Sequence, residues 1–226
     1  MKYRAGACAL LIAFCVPAAW AADKPSFDCA KARTAVEKAI CADGALAAQD
    51  ASIASRYSKA RKAFDPAAAR ALAQDQRYFV QVRDEAYASP SGSDTPQQEL
   101  ADRMKYRDAF LASLSAKRRQ GFEGDWENLA GGFSIKKLAD GRLAFDGSAA
   151  QPLNGRWLCA VEGVGTVKGN TLVVETTDAE GWRLTLVRKG AGVELAEASP
   201  TGAPAGRPYC GLNGALQGVY FPVARP

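Results

Sequence analysis

Two carboxylate pairs, Asp125 with Glu127 and Glu194 with Glu197, have the residue types that glycoside cleavage needs, since that chemistry runs on two acidic groups flanking one bond. Among 24 acidic residues such spacings arise by chance, and Asp125 and Glu127 flank Trp126 as the outward side of a strand would. Neither pair is assigned a catalytic role. Gly163-Val164-Gly165 with Lys168 carries the glycines of a phosphate-cradling loop, but no helix follows and the Gly-Lys-Ser/Thr ending is missing, so a hairpin turn explains it. Histidine is absent from all 226 residues. That excludes Ser-His-Asp and Cys-His nucleophiles, a histidine base and histidine-ligated zinc. No cofactor or metal site is visible, and the chain reads as a non-enzyme.

The six cysteines are the remaining reactive groups. Lys2 and Arg4 precede an apolar run from Ala5 to Ala18 and an Ala19-Trp20-Ala21 exit, the layout of a secretory signal cleaved after Ala21. That run is too short for a comfortable membrane span, and none is expected once residues 1–21 are removed. Cys8 and Cys15 leave with the signal, and Cys29, Cys41, Cys159 and Cys210 remain. Four cysteines allow three pairings. The split into two early and two late favours Cys29 with Cys41 and Cys159 with Cys210, worth about 3 and about 4 kcal/mol on the chain-entropy model. A four-thiolate metal site would want Cys-x-x-Cys spacings, which are absent. An oxidised, exported protein is expected in the periplasm or outside the cell. Removal of Lys2 and Arg4 takes the formal net charge from +5 to +3, with no basic arm interleaved with aromatics, so nucleic acid is not an expected partner.

The Pro200–Asn213 stretch is the better place to look for partner contact, because a loop carried on a stapled scaffold loses little entropy on binding. Arg207, Tyr209 and Asn213 are its candidate partner-binding residues, Arg and Tyr being favoured interface anchors. The Ser89–Asp94 loop is a second candidate. Tyr57, Tyr78 and Phe79 read as helix packing, and Trp126, Trp157 and Trp182 as barrel core.

Two kinds of element position these residues. Up to about Arg119 the chain is Ala-rich with a helical period. Thr34 and Glu37 form a capping box for a helix that reaches Cys41, and Asp43 caps a longer one with Leu46, Ile53, Tyr57, Ala60 and Phe64 along one face. Asp65-Pro66 opens a third with Leu72, Phe79 and Val80 as its stripe. Thr95-Pro96 opens a fourth with Leu100, Met104, Phe110, Leu111 and Leu114. Lys117-Arg118-Arg119 suits the solvated end of that last helix. After Gly121 the pattern alternates with period two, broken by Asp140-Gly141 and Gly169-Asn170 turns, and gives about eight strands. The expected architecture is α+β in two domains. Residues 22–119 form a small disulfide-stapled helical domain and 122–226 an all-β barrel or sandwich, after a signal at 1–21. Cys159 points into the β core with Trp157 and Val161.

The run from Phe27 through Cys29, Thr34, Glu37 and Cys41, continued by Asp43, Leu46, Asp50 and Tyr57, resembles the N-terminal domain of the LprI lysozyme inhibitor family. Gln76-Arg77, Arg83-Asp84, Tyr106-Arg107 and Leu111 extend the likeness to about residue 114. The chain departs from that family where Glu85-Ala86 and Glu99-Leu100 replace a further cysteine pair, and where Gly44 replaces a common proline. The β part is similar only in architecture to MliC-type lysozyme inhibitors, which plug an enzyme cleft with a loop. These resemblances imply a helical exported domain whose partner is lysozyme or another cell-wall hydrolase, occluded without turnover. The alternative is an envelope interaction module that binds another periplasmic protein, a toxin or peptidoglycan without inhibiting lysozyme. Oligomeric state has no signature in the sequence.

Overall fold

Every α-helix opens on a side-chain cap that the sequence announces. The computed structural model describes residues 24–117, 119–177, 179–201 and 206–224, and the expected signal at 1–21, with Cys8 and Cys15, lies outside them. Thr34 accepts from the Glu37 N–H at 3.1 Å while Glu37 accepts from the Thr34 N–H at 2.9 Å, and this capping box starts α1 (Ala35–Ala42). Asp43 caps α2 (Gly44–Ala63), and Asp65 caps α3 (Pro66–Ala88), with Pro66 in the first turn. A second capping box, Thr95 with Gln98, starts α4 (Pro96–Ser113). Cys29 sits in a 3-10 turn (Cys29–Lys31) and is disulfide-bonded to Cys41 at the end of α1, which closes the N-terminal corner.

On α3 the buried positions are Ala68, Leu72, Phe79, Val82 and Ala86, and on α4 Leu100, Met104 and Leu111 together with the charged Glu99 and Arg107. Val80 does not join its helix's stripe. It lies one residue past Phe79, about 100° around the helix, and is exposed. The fourth helix also ends earlier than its basic tail suggested. Leu114 leaves the helix to form a β-bridge with Val223, and Ser115 N–H donates to the Pro222 carbonyl at 2.9 Å. Arg119 is therefore no solvated helix end: its guanidinium stacks 4.8 Å from the Trp126 ring and donates to the Asp125 and Val223 carbonyls.

Eight antiparallel strands follow in a closed up-and-down barrel: β1 (Gly124–Glu127), β2 (Gly131–Lys137), β3 (Leu143–Ala150), β4 (Leu158–Lys168), β5 (Thr171–Thr176), β6 (Arg183–Lys189), β7 (Gly192–Ala198) and β8 (Gly218–Val223). Closure through the β1–β8 pairing excludes a sandwich and leaves no open sheet edge. Alternation fills the interior with Trp126, Phe133, Phe145, Leu172, Leu184 and Tyr220. Gly163 and Gly165 are not a turn. They lie inside β4, where a Cβ on Gly163 would meet the Glu175 carbonyl oxygen at 2.5 Å and one on Gly165 the Val173 oxygen at 2.7 Å; the turn is Gly169-Asn170. Trp157 and Trp182 correct a second expectation. Of the three described tryptophans Trp126 alone is fully enclosed, while Trp157 and Trp182 precede β4 and β6 at the rim and are half-buried.

The helices pack on the outer face of β8. Tyr220 points into the barrel and its neighbour Phe221 points out, with its ring 6.0 Å from Phe64 and 6.3 Å from Phe110. Successive residues of a strand face opposite sides, so one strand serves two cores. Asp65 ties the same junction. Besides its own helix, its carboxylate accepts from the Ala191 N–H at 2.6 Å in the β6–β7 turn, where Gly190 (φ +64°) has no room for a Cβ beside it.

Burial pushes the Asp65 carboxyl up, but the N–H donors of Ala191, Ala68 and Ala67 together outweigh it and hold the group below its ordinary value. A depressed folded pKa means that the contribution is complete above the unfolded value, about 4, and is lost as pH falls through the folded one. Asp65→Ala is expected to cost about 2–3 kcal/mol at neutral pH, from a lost cap and an orphaned N–H. Urea unfolding at pH 7 and pH 3 checks both statements, because the difference between wild type and variant should shrink at the lower pH.

Candidate functional site

In an up-and-down barrel alternate connections share a rim, so the β1–β2, β3–β4, β5–β6 and β7–β8 loops all lie at one end. The β7–β8 connection, from Ser199 to Gln217, is the longest. Cys210 joins it to Cys159 by a disulfide, and the backbone adds Ala160 N–H to the Tyr209 carbonyl at 3.0 Å and Gly211 N–H to the Leu158 carbonyl at 2.8 Å. The proline-rich loop is thus pinned along the first residues of β4.

Glu197 braces it from inside. The side chain of Glu197 is 0% exposed and accepts from the Tyr209 hydroxyl at 2.9 Å and from the Leu216 and Gln217 N–H groups. The Arg207 Nε pairs with it at 2.9 Å, while another guanidinium nitrogen of Arg207 donates to the Gly214 carbonyl. Burial first, and then the Glu197 carboxylate, hold the Tyr209 phenol far above its ordinary value, so it remains a neutral donor. The Tyr209 ring stands edge-on to Trp182 at 5.6 Å. Arg207 and Tyr209 therefore face the scaffold. Asn213 is exposed at the loop's turn, and is the single non-glycine residue with positive φ (63°) among the described residues; asparagine tolerates that conformation.

Beside it Leu212 is 88% exposed, and Leu158, brought close by the Gly211 hydrogen bond, is 66% exposed. Single exposed leucines are ordinary; here both flank the Gly211–Leu158 hydrogen bond, Leu158 directly after the half-buried Trp157 and Leu212 directly after Gly211. Sequence reasoning found the loop and missed Leu212 and Leu158. Neither carboxylate pair assembles as an acid and base. A spacing of three along β7 puts Glu194 on the outer face, 3.2 Å from Lys189, and Glu197 on the inner one. Asp125 and Glu127 flank the inward-facing Trp126. The Ser89–Asp94 loop connects α3 to α4, and Ser91 lines the cleft described next.

A second feature had no single motif to announce it. Between α4 and the β1–β2 and β3–β4 connections runs a cleft of about 830 Å³ whose walls include Phe79, Tyr106, Phe110, Leu129 and Pro152. Arg107 forms part of its wall. Its side chain, 1% exposed, pairs with Asp75 at 2.5 Å, donates to Gln76 at 2.8 Å and lies between the rings of Phe79 and Phe110. Burial lowers its pKa and Asp75 opposes that shift. The other Asp75 oxygen accepts from the Leu129 N–H at 3.0 Å, so one carboxylate links α3, α4 and the barrel. Arg103 binds Glu99 and reaches the Pro152 and Leu153 carbonyls, which fixes the β3–β4 connection against α4.

Residues 29–124 match the family model described as Lysozyme inhibitor LprI. The match spans α1 to α4 and stops at the first residue of β1, so the rest of the barrel lies outside it. No curated protein and no solved structure matches the chain. Among the described residues no helix is long and apolar enough to cross a membrane.

Proposed function

We propose, from the match of the helical region to the lysozyme inhibitor model, that the chain is an exported, non-enzymatic protein that binds lysozyme-type cell-wall hydrolases and occludes their cleft. That match is the observation that carries the reading. The contact falls on the barrel rim. Arg207, Tyr209 and Asn213 make the loop a partner-binding element, the first two by holding its shape against Glu197 and the third, with Leu212, by presenting its tip. A loop pinned by a disulfide and a buried carboxylate surrenders little conformational entropy on docking, which is the condition for a protruding segment to fill a concave site.

Calorimetric titration of the processed protein into lysozymes of several structural classes tests it. Binding at micromolar affinity or tighter is expected with at least one class. Leu212→Asp, on an exposed side chain, should weaken it about tenfold or more while leaving the melting temperature unchanged. Absence of heat with every class would remove the hydrolase from the reading.

A further inference from the structure

We infer that the barrel end opposite the β7–β8 loop is a docking surface for an anionic bilayer, whose lipid phosphates meet a row of lysines. It rests on different residues from the rim loop and stands whether or not that loop meets a hydrolase.

Charge at this end is one-sided. The β2–β3, β4–β5 and β6–β7 hairpins close it, and the first strand of each ends on an exposed lysine: Lys137, Lys168 and Lys189. Lys136 is exposed beside the first of them. The end of α2 adds Arg61 and Lys62, both exposed and both within four residues of Asp65, whose carboxylate holds the Ala191 N–H of the third hairpin at 2.6 Å. Lys189 and Arg142 are engaged by Glu194 and Asp140, whereas Lys62, Lys136, Lys137 and Lys168 pair with no carboxylate among the described residues. Against them stands the exposed Glu123. At the other rim the exposed charges of the described residues cancel, Arg156 and Arg183 against Glu175 and Glu180. Residues 122–226 carry one more acidic group than basic, so the basic pole is a separation of charge within the barrel and not a general excess. Such a pole attracts a polyanionic surface and turns this end toward it.

An apolar tip at the same end selects a bilayer over a soluble polyanion. Val167 continues the inward series of Val161, Gly163 and Gly165 along β4, yet it is 45% exposed, so the β4–β5 hairpin rises past the packed core. Lys168 follows it directly. Apolar contact beside cations is the combination that holds a protein at the headgroup level of anionic lipid. The barrel mouth itself is shut, because the Arg119 and Arg188 guanidiniums lie 4.8 and 4.9 Å from the centre of the Trp126 ring. A lipid tail has no entry there, and contact is confined to the surface. Bound in this way, the protein holds its β7–β8 loop on the side away from the bilayer.

The test uses the full processed protein and three probes: vesicles of phosphatidylcholine alone, vesicles of equal parts phosphatidylcholine and phosphatidylglycerol, and soluble polyphosphate. Co-sedimentation and calorimetry are read. The anionic vesicles alone among the two should bind, and binding should be lost by about 0.5 M salt, where the screening length is about 4 Å. A lysine near an anionic surface is worth about fivefold in affinity, so Lys136→Gln, Lys137→Gln and Lys168→Gln combined should weaken binding about a hundredfold. The melting temperature should not move, since all three side chains are exposed and without an ion pair among the described residues. Val167→Ser should weaken vesicle binding about threefold or more through lost apolar contact and leave polyphosphate unaffected. Arg156→Gln, which removes a charge from the other rim, should change nothing. No binding to anionic vesicles at low salt, equal binding to the neutral ones, or a loss from Arg156→Gln as large as from Lys168→Gln would each overturn the proposal. Polyphosphate binding tighter than vesicle binding, with Val167→Ser silent in both, would overturn the bilayer in favour of a soluble polyanion.

Discussion

Asp75→Ala is expected to lower the unfolding free energy by about 3–5 kcal/mol, the cost of leaving one member of a buried ion pair uncompensated. The magnitude follows from what faces Asp75. The Arg107 guanidinium, 2.5 Å away and enclosed between two aromatic rings, has no route to water, and the Leu129 N–H loses its acceptor in the same step. Because the carboxylate joins α3, α4 and the barrel, the variant should also unfold less cooperatively, the helices loosening before the strands. Asp75→Leu combined with Arg107→Met should recover most of the loss, since well-packed apolar replacements for a buried pair are often neutral. Urea unfolding followed by far-ultraviolet dichroism and by tryptophan fluorescence measures both quantities, all three described tryptophans lying in or around the barrel. A loss under about 1 kcal/mol for the single variant, in the range of a surface pair, would contradict the assignment.

The second large effect is expected at the rim. Replacing Cys159 and Cys210 by serine opens a loop of sequence separation 51, worth about 4 kcal/mol by chain entropy, whereas the Cys29–Cys41 loop of separation 12 is worth about 3. The functional consequence should exceed the thermodynamic one. Without the link the described residues of the β7–β8 connection are held to the barrel by the Glu197 network, the Tyr209–Trp182 ring contact and two backbone hydrogen bonds to β4. Its tip then pays an ordering entropy on docking that the native loop does not, so affinity for a hydrolase should fall about a hundredfold, mostly as faster dissociation. Hydrogen exchange at Gly211 and Gly214 reports the loosening directly. Protection equal to wild type there would show that the disulfide is redundant for the loop's shape.

Much of this architecture is legible in the sequence because local chemistry and fold agree. Thr34, Asp43, Asp65 and Thr95 each precede a helix start, and strict alternation in β3 or β4 sets which side chains enter the barrel. Two of the failures, at Leu114 and Arg119, come from the docking of helices on the barrel. Leu114 reads as one more helical position, yet it is drawn into a bridge with Val223, a contact 109 positions away that no window along the chain contains. Arg119 looks the same in the sequence whether it ends a helix or folds back over Trp126. Alternation with Cys159 and Val161 places Trp157 in the core, and it does pack against the barrel core, but both it and Trp182 lie one residue outside a strand and are only half-buried.

The cleft was invisible for the same reason, being assembled from two helices and two barrel loops. One signal did exist. Asp75 falls in the 68, 72, 75, 79, 82, 86 series of α3 and Arg107 in the 100, 104, 107, 111 series of α4, the spacings of the buried seam. A charged residue at a seam position on each of two neighbouring helices, of opposite sign, marks a buried pair before any coordinates exist. The rim loop was legible as a loop because prolines and glycines forbid a strand. Which of its side chains face outward was not, since that depends on the position of Glu197.

The measurement that bears most directly on the central claim is lysis of purified cell walls by lysozyme as the processed protein is added in increasing molar ratio. A stoichiometric binder without turnover should reduce the initial rate in proportion to the complex formed, with saturation near one equivalent at enzyme concentrations above the dissociation constant, and Leu212→Asp should move the curve to higher ratios. Unchanged lysis at micromolar excess with every lysozyme class, or release of soluble muropeptides by the protein alone, would contradict the account.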